Sequence, residues 1–186
     1  MAPKLTLITA PTPEPASTAE FMDAMSALVS GVVLVTCWIG DRPWGMTVTA
    51  FGSASADPPT VMVALSSEAT TAASITATNM FGVSFLAEEQ LVVARHGSAP
   101  GASKFIDAFI ESGGGRSATP VVAGALAHLD CRVADSTQVA DHTVFFGHVR
   151  SVRASNDGAP LLYHRRAYRM LAEPVSTRQD AERSAR

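Results

Sequence analysis

The stretch Gly45-Met46-Thr47-Val48-Thr49-Ala50-Phe51-Gly52-Ser53-Ala54-Ser55-Ala56-Asp57-Pro58-Pro59 decides how this chain is read. Its β-branched and aromatic residues predict a strand over residues 47–54. Asp57-Pro58-Pro59 ends it, because proline fixes its own φ and cannot donate to a ladder. A second strand is expected over residues 60–65. The same stretch offers small hydroxyls and backbone amides but no cluster of acids, bases or metal ligands. A protein that does chemistry with such a lining borrows its reactivity from a bound cofactor.

Upstream, Ser17-Thr18-Ala19-Glu20 matches a capping box, in which hydroxyl and carboxylate each satisfy a free helix amide. Phe21, Met25, Leu28 and Val29 then share one face, predicting a packed entry helix that Gly31 ends. Residues 32–38 predict a strand, followed by turn chemistry at Gly40-Asp41-Arg42-Pro43. Downstream, Ala72, Ala73, Ile75 and Ala77 suit a short helix ending near Asn79, with a strand over residues 81–86 and a helix over 88–96. Residues 97–101 read as loop, 104–110 as a short helix and Gly113-Gly114-Gly115 as a flexible break. Leu129, Cys131 and Val133 alternate like a half-buried strand, and residues 143–152 like another. This pattern is mainly β with a few short helices and lacks regular strand–helix alternation. It predicts an antiparallel β-barrel rather than a doubly wound sheet. No Gly-x-Gly-x-x-Gly follows a strand, which removes support for a dinucleotide fold of the Rossmann type.

A length of 186 residues suits one domain, placed at residues 17–172 between a flexible arm (1–16) and a polar tail (173–186). Hydrophobic residues make up 47% and charged residues 17%, so the surface is short of charge and a homodimer is expected to bury part of it. A net charge of −3 leaves no basic footprint for nucleic acid. The first residues carry neither an apolar signal core nor a spanning helix, so no membrane partner is expected. Cys37 and Cys131 stand far apart without a metal-binding spacing, which fits reduced thiols in a cytoplasm. His128, Cys131 and His148 likewise lack a ligand pattern, and no metal is expected.

Four hydroxyls, on Ser66, Ser67, Thr70 and Thr71, surround the predicted helix start. Free amides and the helix dipole favour an anion there; the plainer alternative is an N-cap with spare hydroxyls. Thr47 and Thr49 alone are ordinary strand threonines, His142 an exposed turn histidine, and Arg165 and Arg166 a solvated basic turn.

Six blocks change the weight of these alternatives. They are Ser30-Gly31-Val32-Val33-Leu34-Val35-Thr36, Gly45-Met46-Thr47 through Pro58-Pro59, Phe81-Gly82-Val83-Ser84-Phe85-Leu86, Leu129-Asp130-Cys131-Arg132-Val133, Asp141-His142 with Gly147-His148-Val149, and Pro160-Leu161-Leu162-Tyr163 leading to Tyr168. In this order the chain resembles the short-chain flavin reductases of two-component flavin monooxygenases, over most of its length. The resemblance implies an antiparallel FMN-binding split β-barrel that reduces FMN, with FAD possible, using NADH or NADPH. A separate monooxygenase would receive the reduced flavin.

By the same resemblance, Met46, Thr47, Val48, Thr49 and Ala50 lie along the isoalloxazine ring, and Ser66, Ser67, Thr70 and Thr71 become the phosphate site. Lys104 would meet that phosphate, and Phe105 would flank the ring of a neighbouring subunit. His142 would hold the nicotinamide against the flavin. It reads as a positioner rather than a base, because direct hydride transfer needs no protein acid. Tyr163 would stack on a ring, while Arg165 or Arg166 attracts the nicotinamide pyrophosphate. His96 departs from the pattern, since relatives often have Phe there. A non-catalytic flavin or haem binder on the same barrel is the competing reading. An oxidase of the pyridoxamine phosphate type would need more Arg and Lys than residues 45–71 contain.

Overall fold

A computed structural model describes residues 14–111, 117–155 and 157–172. The glycine run at 113–115, most of the N-terminal arm and the polar tail lie outside the described residues. In chain order, α1 (Thr18–Ser26) leads to β1 (Ser30–Gly31), β2 (Val33–Ile39), β3 (Arg42–Val48), β4 (Phe51–Ala56) and β5 (Pro59–Ser66). Next come α2 (Thr70–Thr78), β6 (Met80–Phe85), a 3-10 turn at Glu88–Gln90, α3 (Leu91–Ser98) and a second 3-10 turn at Asp107–Phe109. β7 (Ala127–Val139) and β8 (His142–Ala154) form a long hairpin, and β9 (Leu162–His164) and β10 (Ala167–Arg169) close the order.

The main sheet runs β3-β2-β6-β7-β8-β5-β4, antiparallel at each pairing. Its two edge strands, β3 and β4, are separated in sequence by only Thr49 and Ala50. In a flat sheet of seven strands the edges would lie about 30 Å apart, whereas two linking residues span about 10 Å. The sheet therefore curls until the linked ends of β3 and β4 come together, giving a barrel that stays split along the β3–β4 line. β1, β9 and β10 form a small separate sheet at the rim.

Curling creates an interior and an exterior core. Inside lie Val33, Val35, Val48, Val63, Leu65, Phe81, Val83 and Phe145, closed at one end by Ile75 of α2. Outside, Leu34 packs with Leu86, Val93, Ala94, Ile106 and Leu161, under α3. α3 approaches closely enough that a Cβ on Gly97 would meet Thr47 and Leu34. Gly97 is therefore set by the close approach of helix and strand.

The mainly β antiparallel architecture is as expected, with differences in detail. Residues 47–54 are not one strand: the alternation is continuous, but the chain passes from one sheet edge to the other at Thr49 and Ala50. Pro43 lies inside β3 rather than in a turn, which an edge strand tolerates. α1 stops at Ser26, and none of its residues is buried among the described residues; Phe21 and Met22 are 57% and 50% exposed. α3 extends through Ser98, so residues 97–98 are helix rather than loop. Residues 104–110 are not a helix; Phe105 bridges Trp44 of β3 before the 3-10 turn.

A buried polar network straps residues 117–122 to the sheet. Thr36 Oγ1 donates to Pro120 O (2.7 Å), and Thr119 N to Asp130 Oδ1 (3.1 Å). Thr119 Oγ1 donates to Asp130, so it accepts from His128 Nε2 (2.9 Å), and His128 Nδ1 then accepts from Ser84 Oγ (2.8 Å). That order fixes a neutral imidazole with its proton on Nε2. Burial pushes His128 below its ordinary value, overcoming the pull of Asp130. Burial alone would raise Asp130, but bonds from Ser151 and Thr119 hold its carboxyl below the usual range.

The sign for His128 follows from proton counting. Below a pH of about 6.5 the unfolded chain protonates this ring, while the folded chain resists until lower pH, so stability falls as pH drops through that window. The melting temperature of the wild type is expected to fall more steeply between about pH 7.5 and pH 5.5 than that of His128→Gln. Parallel slopes would show that His128 is not the source.

Candidate functional site

α2 begins after an N-cap residue, Ala69, whose side chain makes no capping bond. Its first amides are thus left without a side-chain acceptor, at the positive end of the helix dipole. The hydroxyls around it are placed differently from simple caps. Ser66 ends β5, directly opposite His142 of β8. Ser67 N donates to Asp141 O (2.9 Å), and its hydroxyl bonds that of Thr143 (2.9 Å). Thr70 is the first helical residue and is exposed, whereas Thr71 is buried and accepts the indole N–H of Trp44 (3.1 Å).

The structure therefore joins Ser66 and Ser67 to His142, a residue expected at the nicotinamide. His142 stands at the tip of the β7–β8 hairpin, with Nδ1 2.8 Å from Asp141 Oδ1 and its side chain 47% exposed. The His142 hydrogen bond holds the Asp141 carboxyl below its ordinary value.

Lys104 and Phe105 cover the outer edge of β3. Gly45 N donates to Lys104 O (3.0 Å), and Ile106 N to Pro43 O (2.9 Å). The Phe105 ring meets Trp44 edge-on at 5.1 Å, and the Arg42 guanidinium lies 3.8 Å from the Phe105 centroid. Arg42 is in turn bound by Asp107 at 2.9 Å. His96 Nε2 donates to Phe105 O (2.8 Å), so the histidine that departs from the family pattern clamps this segment. Burial pulls the half-buried Lys104 ammonium below its ordinary value. An anion beside it would offset that penalty.

Along residues 46–50, Met46 and Val48 face the interior core. Thr47 Oγ1 donates to Ala94 O (2.7 Å), so its side chain is engaged by the fold. Thr49 and Ala50 are exposed at the split. Thr47, Val48 and Thr49 line a groove of about 370 Å³ with Tyr163, Arg166, Tyr168 and Ser98. Thr49 and Ala50 also border a groove of about 600 Å³ formed with Met22, Met25, Leu28, Phe51 and Met62.

Arg165 and Arg166 have φ of 47° and 59°, as a type I′ turn between β9 and β10 requires. Arg166 lines both grooves, whereas Arg165 lines neither and its backbone N–H donates to Ser26 O (2.7 Å). The expected nicotinamide residues thus divide: Tyr163 and Arg166 lie with residues 47–50, and His142 lies with Ser66 and Ser67.

Trp44, Arg42 and His96 are part of the arrangement, yet sequence reasoning assigned them no role. The available signal was Trp44 itself, an aromatic side chain beside Gly45 in an edge strand. Among the described residues there is no cluster of His, Cys, Asp and Glu able to hold a metal. The buried Cys131 thiol is pushed up to about 12 by desolvation, which keeps it from serving as a thiolate.

The family model of the flavin reductase-like domain matches residues 25–172. The chain is 35% identical over 152 residues to the reductase component of 4-nitrophenol 4-monooxygenase/4-nitrocatechol 2-monooxygenase of Rhodococcus opacus, covering 82% of this chain and 80% of the relative. It is 32% identical over 166 residues to FMN reductase (NADH) RutF 2 of Methylorubrum extorquens, covering 88% and 95%. Among solved structures, the NADH:FAD oxidoreductase SgcE6 of Streptomyces globisporus, in complex with NAD and FAD fragments, superposes with a TM-score of 0.79 at 29% identity. That match covers 90% of this chain and all of the other.

Thr47→Val removes the bond to Ala94 O and leaves the strand backbone in place. It is expected to lower stability by about 1 kcal/mol in urea denaturation. An unchanged midpoint would show that the hydroxyl contributes nothing to holding α3 on β3.

Proposed function

The chain belongs to the flavin reductase-like domain family, and on that premise we propose that it is an NADH-dependent flavin reductase supplying reduced flavin to a separate monooxygenase. The observation that carries this reading is the uncapped start of α2, surrounded by hydroxyls and continuous through Trp44 with the β3 edge. Such a surface fits a flavin phosphate at one end and a flavin ring at the other.

In this assignment the hydroxyls of Ser66, Ser67, Thr70 and Thr71 and the first amides of α2 bind the phosphate, with Lys104 as a nearby cation. The backbone of Met46, Thr47, Val48, Thr49 and Ala50 meets the polar edge of the ring, and Phe105 packs beside it. His142, Tyr163 and Arg166 orient the nicotinamide nucleotide, with Arg165 as a second cation on the same turn. Flavin and reduced nicotinamide together supply a hydride transfer that needs no acid or base from the protein. The part of these residues is to bind, align and exclude water, and alignment alone can remove several kcal/mol from a barrier.

FMN is favoured over FAD, although relatives named for each flavin are similar to this chain. NADH is favoured over NADPH, since it is the donor named for the relative FMN reductase (NADH) RutF 2. The relatives are named as reductases, so the non-catalytic binder is set aside.

A homodimer is part of the same proposal. Met22, Met25 and Leu28 of the entry segment are 50%, 48% and 58% exposed and line the groove of about 600 Å³. A contiguous apolar surface of this kind is best explained by a second copy. Cys37 and Cys131 are free thiols, consistent with a cytoplasmic setting. Among the described residues, no helix is long and apolar enough to cross a membrane.

Purified protein is expected to oxidise NADH rapidly once FMN or FAD is added, and His142→Ala to raise the KM for NADH more than the Kd for flavin. Flavin binding without NADH loss would defeat the reductase assignment, and an unchanged KM would remove His142 from the site. Met25→Asp is expected to shift the mass measured by light scattering from twice the 19.4 kDa chain to a single chain. A wild type already at one chain would refute the dimer.

A further inference from the structure

We propose that Trp44 is a positioning residue for the flavin phosphate, acting through the hydroxyl of Thr71. This rests on the phosphate assignment made above. Thr71 is only 1% exposed, and its Oγ1 accepts the indole N–H of Trp44 at 3.1 Å. A hydroxyl has one proton and two lone pairs. The indole occupies a lone pair, and among the described residues the Thr71 proton has no acceptor.

Two later threonines of the helix give their protons to its backbone. Thr76 and Thr78 donate to carbonyls one turn back, those of Ala72 (2.9 Å) and Ser74 (2.8 Å). Thr71 is the second residue of α2, and because Ser67 precedes the N-cap Ala69 no helical carbonyl lies four residues behind it. Its proton is a buried donor held ready at the second residue of α2, beside amides that no side chain caps. Buried donors seldom stay without an acceptor, and the acceptor that suits this place is an anion.

Trp44 can hold that arrangement because its own ring is fixed. Phe105 meets it edge-on at 5.1 Å, Arg42 sits 3.8 Å from the Phe105 centroid, and Asp107 binds Arg42 at 2.9 Å. His96 holds the Phe105 carbonyl at 2.8 Å, and Gly45 N–H is bound to Lys104 O. Indole is a donor only, so the bond to Thr71 has one direction. Without it, the Thr71 side chain loses the partner that fixes its rotamer. Trp44 also lies two residues before Met46, so one side chain couples the strand assigned to the flavin ring with the helix assigned to its phosphate.

The test compares FMN with riboflavin, which lacks the phosphate. Dissociation constants for both are measured by calorimetry on the wild type, Trp44→Phe, Thr71→Val and the double variant. Trp44→Phe keeps a ring against Phe105 and deletes the N–H. The wild type is expected to prefer FMN. Trp44→Phe should weaken FMN by about fivefold while riboflavin stays within about twofold, and it should add nothing in the Thr71→Val background.

Equal wild-type affinities for FMN and riboflavin would overturn the phosphate assignment and this inference with it. A wild type that prefers FMN, combined with a Trp44→Phe variant that weakens both flavins alike or neither, would leave the phosphate assignment standing and remove Trp44 from it. Thr71→Val tests the other end of the bond, so the inference remains open to refutation even if Trp44→Phe folds poorly. Full retention of the FMN preference in Thr71→Val would overturn it.

Discussion

Two residues, Thr49 and Ala50, join the opposite edges of a seven-stranded sheet, and the rest of the molecule answers to that short link. Closure gives the barrel an interior that Val33, Val48, Val63 and Phe81 fill from different strands. It also leaves a seam where the β3 and β4 edges approach without joining the ladder. At such a seam backbone amides and carbonyls remain available, which is what a ligand with a polar edge requires. The residues at the link are small because the chain must cross the seam without filling it.

The outer surface of β3 is controlled by elements that carry no hydrogen bonds of the main sheet. α3 grips Thr47 through the Ala94 carbonyl and the close approach at Gly97, while His96, one residue earlier, holds Phe105 against Trp44. The strap at residues 117–122 meets residues 109–111 through Glu111 N to Val121 O (3.0 Å) and Ala123 N to Phe109 O (2.9 Å). The network around His128 therefore bears on the segment that ends at Lys104 and Phe105. A site built on loops gains rigidity this way, since each loop is tied at more than one point to the sheet.

The fold class was legible because strand alternation and turn residues are local signals, and residues 32–38, 60–65 and 81–86 lie close to observed strands. Where the reading failed, the deciding partner was distant in sequence. Continuous alternation through residues 47–54 concealed the change of edge, which depends on β2 and β5. The apolar face of α1 was recognised as a burial surface, but periodicity cannot say whether the partner belongs to the same chain. The hydroxyls from Ser66 to Thr71 were placed near the right helix start, but the plainer alternative of an N-cap fails and the local partner was hidden: the N-cap is Ala69, and Thr71 is bound by a tryptophan 27 residues away. His96 was seen as a departure from a pattern, but its bond to Phe105 depends on the path of an irregular segment.

The chemistry of the site also suits a flavin that must leave. An uncapped helix start contributes about 0.3–1 kcal/mol toward an anion at the surface, and each neutral hydrogen bond adds about 0.5–1.5 kcal/mol. Arg42, the strongest cation near Trp44, is engaged with Asp107 and the Phe105 ring. A guanidinium committed to the scaffold shapes the cradle without gripping its contents. On the proposed assignment orientation comes from backbone and ring packing rather than from a charged clamp, a division of labour suited to a surface that aligns a flavin for reduction and passes it to a second protein.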